Sequence, residues 1–340
     1  MAELIGTGVL FFRNYIRYER LLKKEMGVKM NNKVKKICTI VGLFVLLVIV
    51  TFLRYKITMI RKGQGTEEFV NSKVEENHSP VPTEKTVSYV NAAGKTLEKR
   101  IHVPEGYTRT KETAGSLGTF LRTYKVKKDG SPVLLYDGSK KGNQNAHVAV
   151  LKLPIENEDL QQCADSVMRV YGEYYYSKGD YNKIKYSLGG GFVADFSKWS
   201  RGYGICASGD TLTWCSAPAN DTSYASFKKF MRMVFAYSGT MDLEQGSEKI
   251  KLNQLQIGDM FIKGGSPGHV VMVVDVCENA TGQKAFLLAQ GYMPAQEFHV
   301  IKNPLHHENP WYYQDEISYP LQTAEYTFDK GSLRRPNLKR

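Results

Sequence analysis

The stretch "GDMFIKGGSPGHVVMVVDV", Gly258 to Val276, decides how the chain is read. An aspartate opens a short apolar run, a Gly-Gly-Ser-Pro-Gly segment turns the chain, and His269 leads a second, strongly apolar run. Glycine and proline punctuation between two apolar runs predicts two strands joined by a tight connection. Residues two apart on a strand share a face, so His269, Val271, Val273 and Asp275 are expected to point the same way. At about 3.3 Å per residue, Asp275 is roughly 20 Å from His269 and cannot orient its imidazole. His269 is therefore either a base at the mouth of a cleft or a polar residue that begins a buried strand.

Working outward, "KAFLLAQGY" (284–292) and "EFHVI" (297–301) extend the same sheet. If residues 279–282 form a four-residue hairpin loop, Gln290 faces Val271 and lies on the His269 face; a five-residue loop sends it to the opposite face. Upstream, "SPVLLYDG" (131–138), "AHVAVLKLP" (146–154), "IKYSL" (184–188) and the pair "GYGICAS"/"TLTWCSA" (202–208 and 211–217) read as strands. The clearest helix is "NEDLQQCADSVMRVYGEYYYSKG" (157–179), with Asn157 as the expected cap and Gly179 as the stop. Leu160, Cys163, Ala164, Val167, Tyr171 and Tyr174 recur at helical spacing as its apolar stripe. Asp165, Arg169 and Glu173 step by four, which reads as a solvated face, or as a buried pair bordering the cleft if the sheet covers the helix. "SYASFKKFMRMVFAYSGT" (223–240) is a second amphipathic helix. Helices and an antiparallel sheet without regular alternation give an α+β domain.

The 340 residues carry a formal charge of +12, an excess that raises the question of nucleic acid. Residues 1–95 hold 16 Lys+Arg against 8 Asp+Glu, and the remainder 30 against 26. The folded part is thus close to neutral, and nucleic-acid binding is not expected. Residues 37–53, "ICTIVGLFVLLVIVTFL", are long enough to cross a bilayer as a helix at the lower limit of length. Lysines precede this segment, Arg54 and Lys56 follow it, and no small-residue cleavage site is visible, so an uncleaved anchor is expected. The domain plan is then a short basic segment (1–36), with Met30 as an alternative translation start, the anchor (37–53) and a flexible polar linker (54–95). A single globular ectodomain (96–328), expected outside the cytoplasm, and a disordered basic tail (329–340) follow. Cys206 and Cys215 flank a hairpin and are either a disulfide of an external domain or two small apolar residues. His299, His306 and His307 lack the spacing of a metal site, and neither metal nor cofactor is expected.

A cysteine hydrolase needs a thiol, a histidine within hydrogen-bond reach and a group that orients the histidine. Cys163 in "CADSVMRVY", His269 at a strand start and Gln290 in "FLLAQGY" occur in that order. With Asn157 as cap, however, Cys163 falls past the first helical turn and among Glu156, Glu158, Asp159 and Asp165, which disfavours a thiolate. Core packing is the other reading of Cys163. His147, which begins its own apolar strand, is a rival base, and Gln162 is a candidate oxyanion donor. Across about Lys99 to Phe328 the chain resembles a bacterial family of unknown function, the domain numbered 4846. The likeness is carried by "DGSPVLLYDGSKKGNQNAHVAVL", "DLQQCADSVMRVYGEYYYSKGDY", "IGDMFIKGGSPGHVVMVVDV" and "LLAQGYMPAQEFHVIKNP". That resemblance implies motif positions at Cys163, Arg169, Glu173, His269, Gln290 and Gln296. More distantly, the order of Cys163, His269 and Gln290 resembles the papain-like cell-wall peptidases of the NlpC type. This implies a helix packed on an antiparallel sheet, and a hydrolase of peptide or amide bonds with cell-wall peptide as substrate. The chain departs from those enzymes in its long separation of Cys163 from His269 and in lacking an aspartate before the cysteine. A non-catalytic module of the same fold, binding a glycan or peptide against tyrosines with Arg169 and His269 as polar contacts, is the alternative.

Overall fold

The computed structural model describes residues 88–209 and 211–337. The expected basic segment and anchor, and most of the expected linker, lie outside them. Among the described residues no helix is long and apolar enough to cross a membrane. Chain order runs β1 (Tyr107–Arg109), β2 (His147–Val150), β3 (Lys185–Leu188), β4 (Phe192–Asp195), β5 (Tyr203–Ser208) and β6 (Thr211–Ser216). It continues through β7 (Ser247–Lys249), β8 (Met260–Lys263), β9 (His269–Asn279), β10 (Lys284–Gln290) and β11 (His299–Ile301). Four short strands follow: β12 (Tyr312–Tyr313), β13 (Leu321–Gln322), β14 (Thr327–Phe328) and β15 (Leu333–Pro336). The helices are α1 (Leu97–Arg100), α2 (Leu117–Arg122), α3 (Cys163–Ser177), α4 (Phe196–Trp199), α5 (Tyr224–Tyr237) and α6 (Thr240–Gln245).

The expected α+β class is what forms, with strands predominating. Nine strands make one antiparallel sheet in the order β2-β11-β10-β9-β8-β15-β7, with β1 paired to β9 and β12 to β10. β9 and β10 are its centre, and their apolar runs are buried throughout, as suits strands covered on both faces. Hairpins β3-β4, β5-β6 and β13-β14 stand apart as two-stranded units. The segment 131–138, read above as a strand, contributes only isolated bridges, Leu134 to Lys140 and Leu135 to Gln296. Its turn at Gly138, with φ of 82°, reverses the chain before a ladder can grow.

Two boundaries differ from the sequence reading. Residues 88–95 belong to the fold, because Val90 bridges Ile101 and the Asn91 N–H donates to the Arg100 carbonyl at 2.8 Å. The expected tail is also partly folded, since β15 pairs with both β7 and β8. Burial of Asp259 explains it: this carboxylate is sealed, and Arg335 of β15 donates to both its oxygens, at 2.7 and 3.0 Å. A buried charge requires a partner, and the tail supplies one. Gly258, just before, has φ of +97° and lets Tyr171 of α3 approach closely enough to donate its hydroxyl to the Gly258 carbonyl at 2.9 Å. The "Gly-Asp" of the opening stretch thus joins strand, helix and tail.

α3 lies against β9 and β10 on one side and α5 on the other, so nearly its whole first half is buried. The face of Asp165 and Arg169 is therefore covered, not solvated, and α5 covers it where the sheet was considered. Gly172 permits this, since a Cβ there would stand 3.1 Å from Phe227 and 3.2 Å from Met231 of α5. Arg169, fully enclosed, donates to Glu173 at 2.7 Å, Tyr224 at 3.2 Å and Gln161 at 3.4 Å. Burial alone would lower the Arg169 pKa, but Glu173 and Tyr224 raise it, so it stays charged.

Candidate functional site

α3 begins at Cys163, with Gln162 as its cap, and not at Asn157. The residues between are drawn to another part of the chain: Asp159 Oδ1 accepts from the Ala295 N–H at 2.7 Å and from Gln162 Nε2 at 3.1 Å. Asp165 accepts from the Gln162 N–H at 3.0 Å and closes the new helix start. The shift changes the meaning of Cys163, which becomes the first helical residue. Its N–H has no intrahelical acceptor, and the positive end of the helix dipole falls on its side chain. Gln162, expected as an oxyanion donor, has its side-chain amide tied to Asp159 instead.

β9 starts at His269 because the preceding loop is pinned. The Gly265 N–H donates to the Thr240 hydroxyl at 3.3 Å and the Gly264 N–H to Glu244 at 3.2 Å. His269 is 2% exposed. Its Nε2 lies 2.8 Å from Gln290 Oε1, so His269 and Gln290 meet, one of the two outcomes the loop length left open. The route to that contact differs from the sequence reading. Glu278 pairs with Lys284, the register of the longer loop, which by itself would turn Gln290 away. A bulge between Leu287 and Leu288 then shifts the ladder by one residue, so that Leu288 pairs with Val273 and Ala289 with Met272. Continued by one step, that register sets Gln290 opposite Val271.

The thiol of Cys163 comes to the same end of the sheet. Burial, then the neighbouring Asp165 carboxyl, push it up to about 11, while the backbone N–H groups of Ala164 and of Val270, next to His269, act in the opposite sense. Burial also pushes Asp165 well above the ordinary carboxylate range. The Tyr292 ring packs on His269 with centroids 4.5 Å apart. Burial and then the Glu325, Tyr326 and Cys163 charges raise the Tyr292 hydroxyl. Tyr326 flanks His269 at 4.8 Å. Enclosure pushes the imidazole down to about 4, against the opposing pull of Gln290 and Glu325, and His269 is neutral.

Gly291 joins helix and strand. A Cβ there would fall 2.2 Å from Ser166 Oγ and 2.9 Å from the Gln162 carbonyl, so the start of α3 rests on bare backbone beside Gln290. Ser166 is fully buried, and the Gln162 carbonyl is backbone, so the added methyl has little room. Gly291→Ala is expected to lower the free energy of unfolding by roughly 1–3 kcal/mol, the range for overpacking. A urea midpoint equal to wild type would show that α3 is not seated there.

The other expected site residues lie elsewhere. Arg169 and Glu173 belong to the α3–α5 network. His147 Nε2 bonds the Ser131 carbonyl at 3.0 Å, and its ring meets His299 edge-on at 6.0 Å. Gln296 is buried in the loop after β10, with Nε2 donating to the Pro294 carbonyl at 3.3 Å. Sequence reasoning missed Tyr292, Tyr326, Glu325 and Lys141. Tyr292 was available from strand periodicity, two residues beyond Gln290. The other three lie in connecting segments with no motif. Glu325, between β13 and β14, accepts from Gln290 Nε2 at 2.7 Å, from Asn143 at 3.1 Å and from Lys141. Among the described residues no group of three or more His, Cys, Asp or Glu side chains converges as a metal site.

No curated protein and no solved structure matches the chain. The family model of the domain of unknown function 4846 matches residues 97–335, which spans both Cys163 and the β9–β10 pair, and the chain belongs to that family.

Proposed function

We propose that this domain is a cysteine hydrolase of peptide or amide bonds with a papain-like arrangement of the NlpC type, and that its substrate is cell-wall peptide. The single observation that carries the reading is the placement of Cys163 as the first residue of α3 beside the start of β9, where Gln290 holds His269 at 2.8 Å. In this reading Cys163 Sγ attacks the carbonyl carbon while its proton passes to His269 Nδ1, the nitrogen left free by Gln290. In this reading the Cys163 N–H and the Tyr292 hydroxyl serve as the donors to the developing oxyanion. Collapse breaks the C–N bond, the leaving amine takes the proton from His269, and water then hydrolyses the thioester and restores the thiol. Thiol and imidazole are both neutral at rest, so the histidine acts as a general base during attack, not as half of a standing ion pair.

Attachment to the outside of a membrane through residues 37–53 belongs to the same proposal. It is supported by the disulfide between Cys206 and Cys215, a pairing suited to an oxidising compartment. A second reading, a non-catalytic module binding glycan or peptide, is favoured by the deep burial of both reactive groups. Hydrolysis of cell-wall peptide fragments by the full chain, wild type against Cys163→Ala, separates the two: activity lost in the variant supports the hydrolase, and activity retained removes it.

A further inference from the structure

Gln290 is an ambiguous orienter taken alone. Its amide can turn either end toward His269, and the two orientations impose opposite tautomers on the imidazole. With Oε1 facing His269, Nε2 carries the proton and Nδ1 is bare. With the NH2 facing it, Nε2 is bare and the proton moves to Nδ1, where it cannot receive another from a thiol. What faces the far end of the amide decides between them, and that group is Glu325, whose Oε2 lies 2.7 Å from Gln290 Nε2.

We propose that Glu325 is a positioning residue that acts through Gln290: by accepting the Gln290 NH2 it commits His269 to the Nε2–H tautomer and keeps Nδ1 free as the base. This rests on the hydrolase reading for its catalytic meaning. An ionised carboxylate only accepts, so a reversed Gln290 amide would press oxygen against oxygen at hydrogen-bond distance in a half-buried site. Glu325 is kept ionised by its surroundings. Burial would raise its pKa, but His299 and Lys141 outweigh it and hold the carboxyl at about 2. His299 Nε2 is 3.9 Å away, beyond hydrogen-bond length, so the Lys141 ammonium in direct contact is the principal partner. Asn143 donates to Oε1 at 3.1 Å and fixes the carboxylate plane. Order thus passes from Lys141 to Glu325, to Gln290 and to His269, with the full negative charge kept one residue behind the imidazole.

The test is the tautomer of His269 in the full chain at neutral pH without substrate. It is read from the ring nitrogen shifts of 15N-histidine protein, with the signal assigned by its loss in His269→Asn. The expected result is protonated Nε2 and bare Nδ1 in wild type, and a mixture of both tautomers in Glu325→Gln, whose amide can donate as well as accept. The wild type carries a second readout, slow exchange of one Gln290 side-chain N–H held by Glu325, which does not depend on the variant folding. Protonated Nδ1 in wild type, solvent-rate exchange of both Gln290 amide protons, or an unchanged single tautomer in Glu325→Gln would each overturn the inference. The readout needs no turnover. A wild type without hydrolytic activity but with the expected tautomer would remove the hydrolase reading alone.

Discussion

Replacing Cys163 by alanine is expected to bring hydrolysis of cell-wall peptide fragments down to background, a loss of at least about a thousandfold. Among the described residues no other thiol can take over: the second free cysteine, Cys277, is sealed, and its sulfur donates to the Ala285 carbonyl at 3.6 Å. The fold should survive, because the substitution removes one sulfur at the edge of the core. A cost of about 1 kcal/mol corresponds to about 2–4 °C in melting temperature for a domain of this size. The pH profile carries independent information. With His269 held down to about 4 and Cys163 pushed up to about 11, the wild type should gain activity as the imidazole loses its proton near pH 4 and hold it through neutrality. A narrow bell centred near neutral pH would point to a preformed ion pair and contradict the burial of both groups.

The second large effect concerns stability in acid. His269 titrates near 4 in the folded chain against 6.5 when unfolded. Between those values the unfolded chain binds the extra proton, so stability falls as pH drops through the window and the loss is complete near pH 4. At 1.36 kcal/mol per unit this is on the order of 3 kcal/mol. Asp165 and Asp259 work the other way, since burial raises their carboxyls and the folded form then takes up protons first. The effect is therefore read as a difference. From pH 7 to pH 4, His269→Gln should lose about 3 kcal/mol less than wild type, measured by urea unfolding at each pH. Equal losses would mean that His269 is solvated in the folded chain.

Much of the architecture is legible in local pattern, and the site only in part. The apolar runs of β9 and β10 announce themselves by composition, and the Gly-Gly-Ser-Pro-Gly turn fixes where β9 starts. The meeting of His269 with Gln290 is legible as a possibility of register but rests on a bulge that no local signal in "KAFLLAQ" reveals. The start of α3 is misread for a related reason. Asn157, Glu158 and Asp159 are good helix openers, yet Asp159 is claimed by Ala295, far along the chain. Arg169 looks solvated from helical periodicity, because the covering helix α5 is not visible in the spacing of α3. Glu325 illustrates the limit most clearly. Nothing in "TAEYTF" marks it, and its role exists only once the β13–β14 turn is folded against Gln290 and Lys141.

The central claim is that Cys163 is a reachable thiol served by His269, and alkylation of the native full chain tests it most directly. With Cys163 8% exposed and Cys277 at 0%, the second thiol is an internal standard for a sealed cysteine. The predicted result is modification of Cys163 by iodoacetamide under native conditions at a rate well above that of Cys277, with the rate lowered in His269→Ala. Modification of Cys163 only on global unfolding, in step with Cys277, would contradict it.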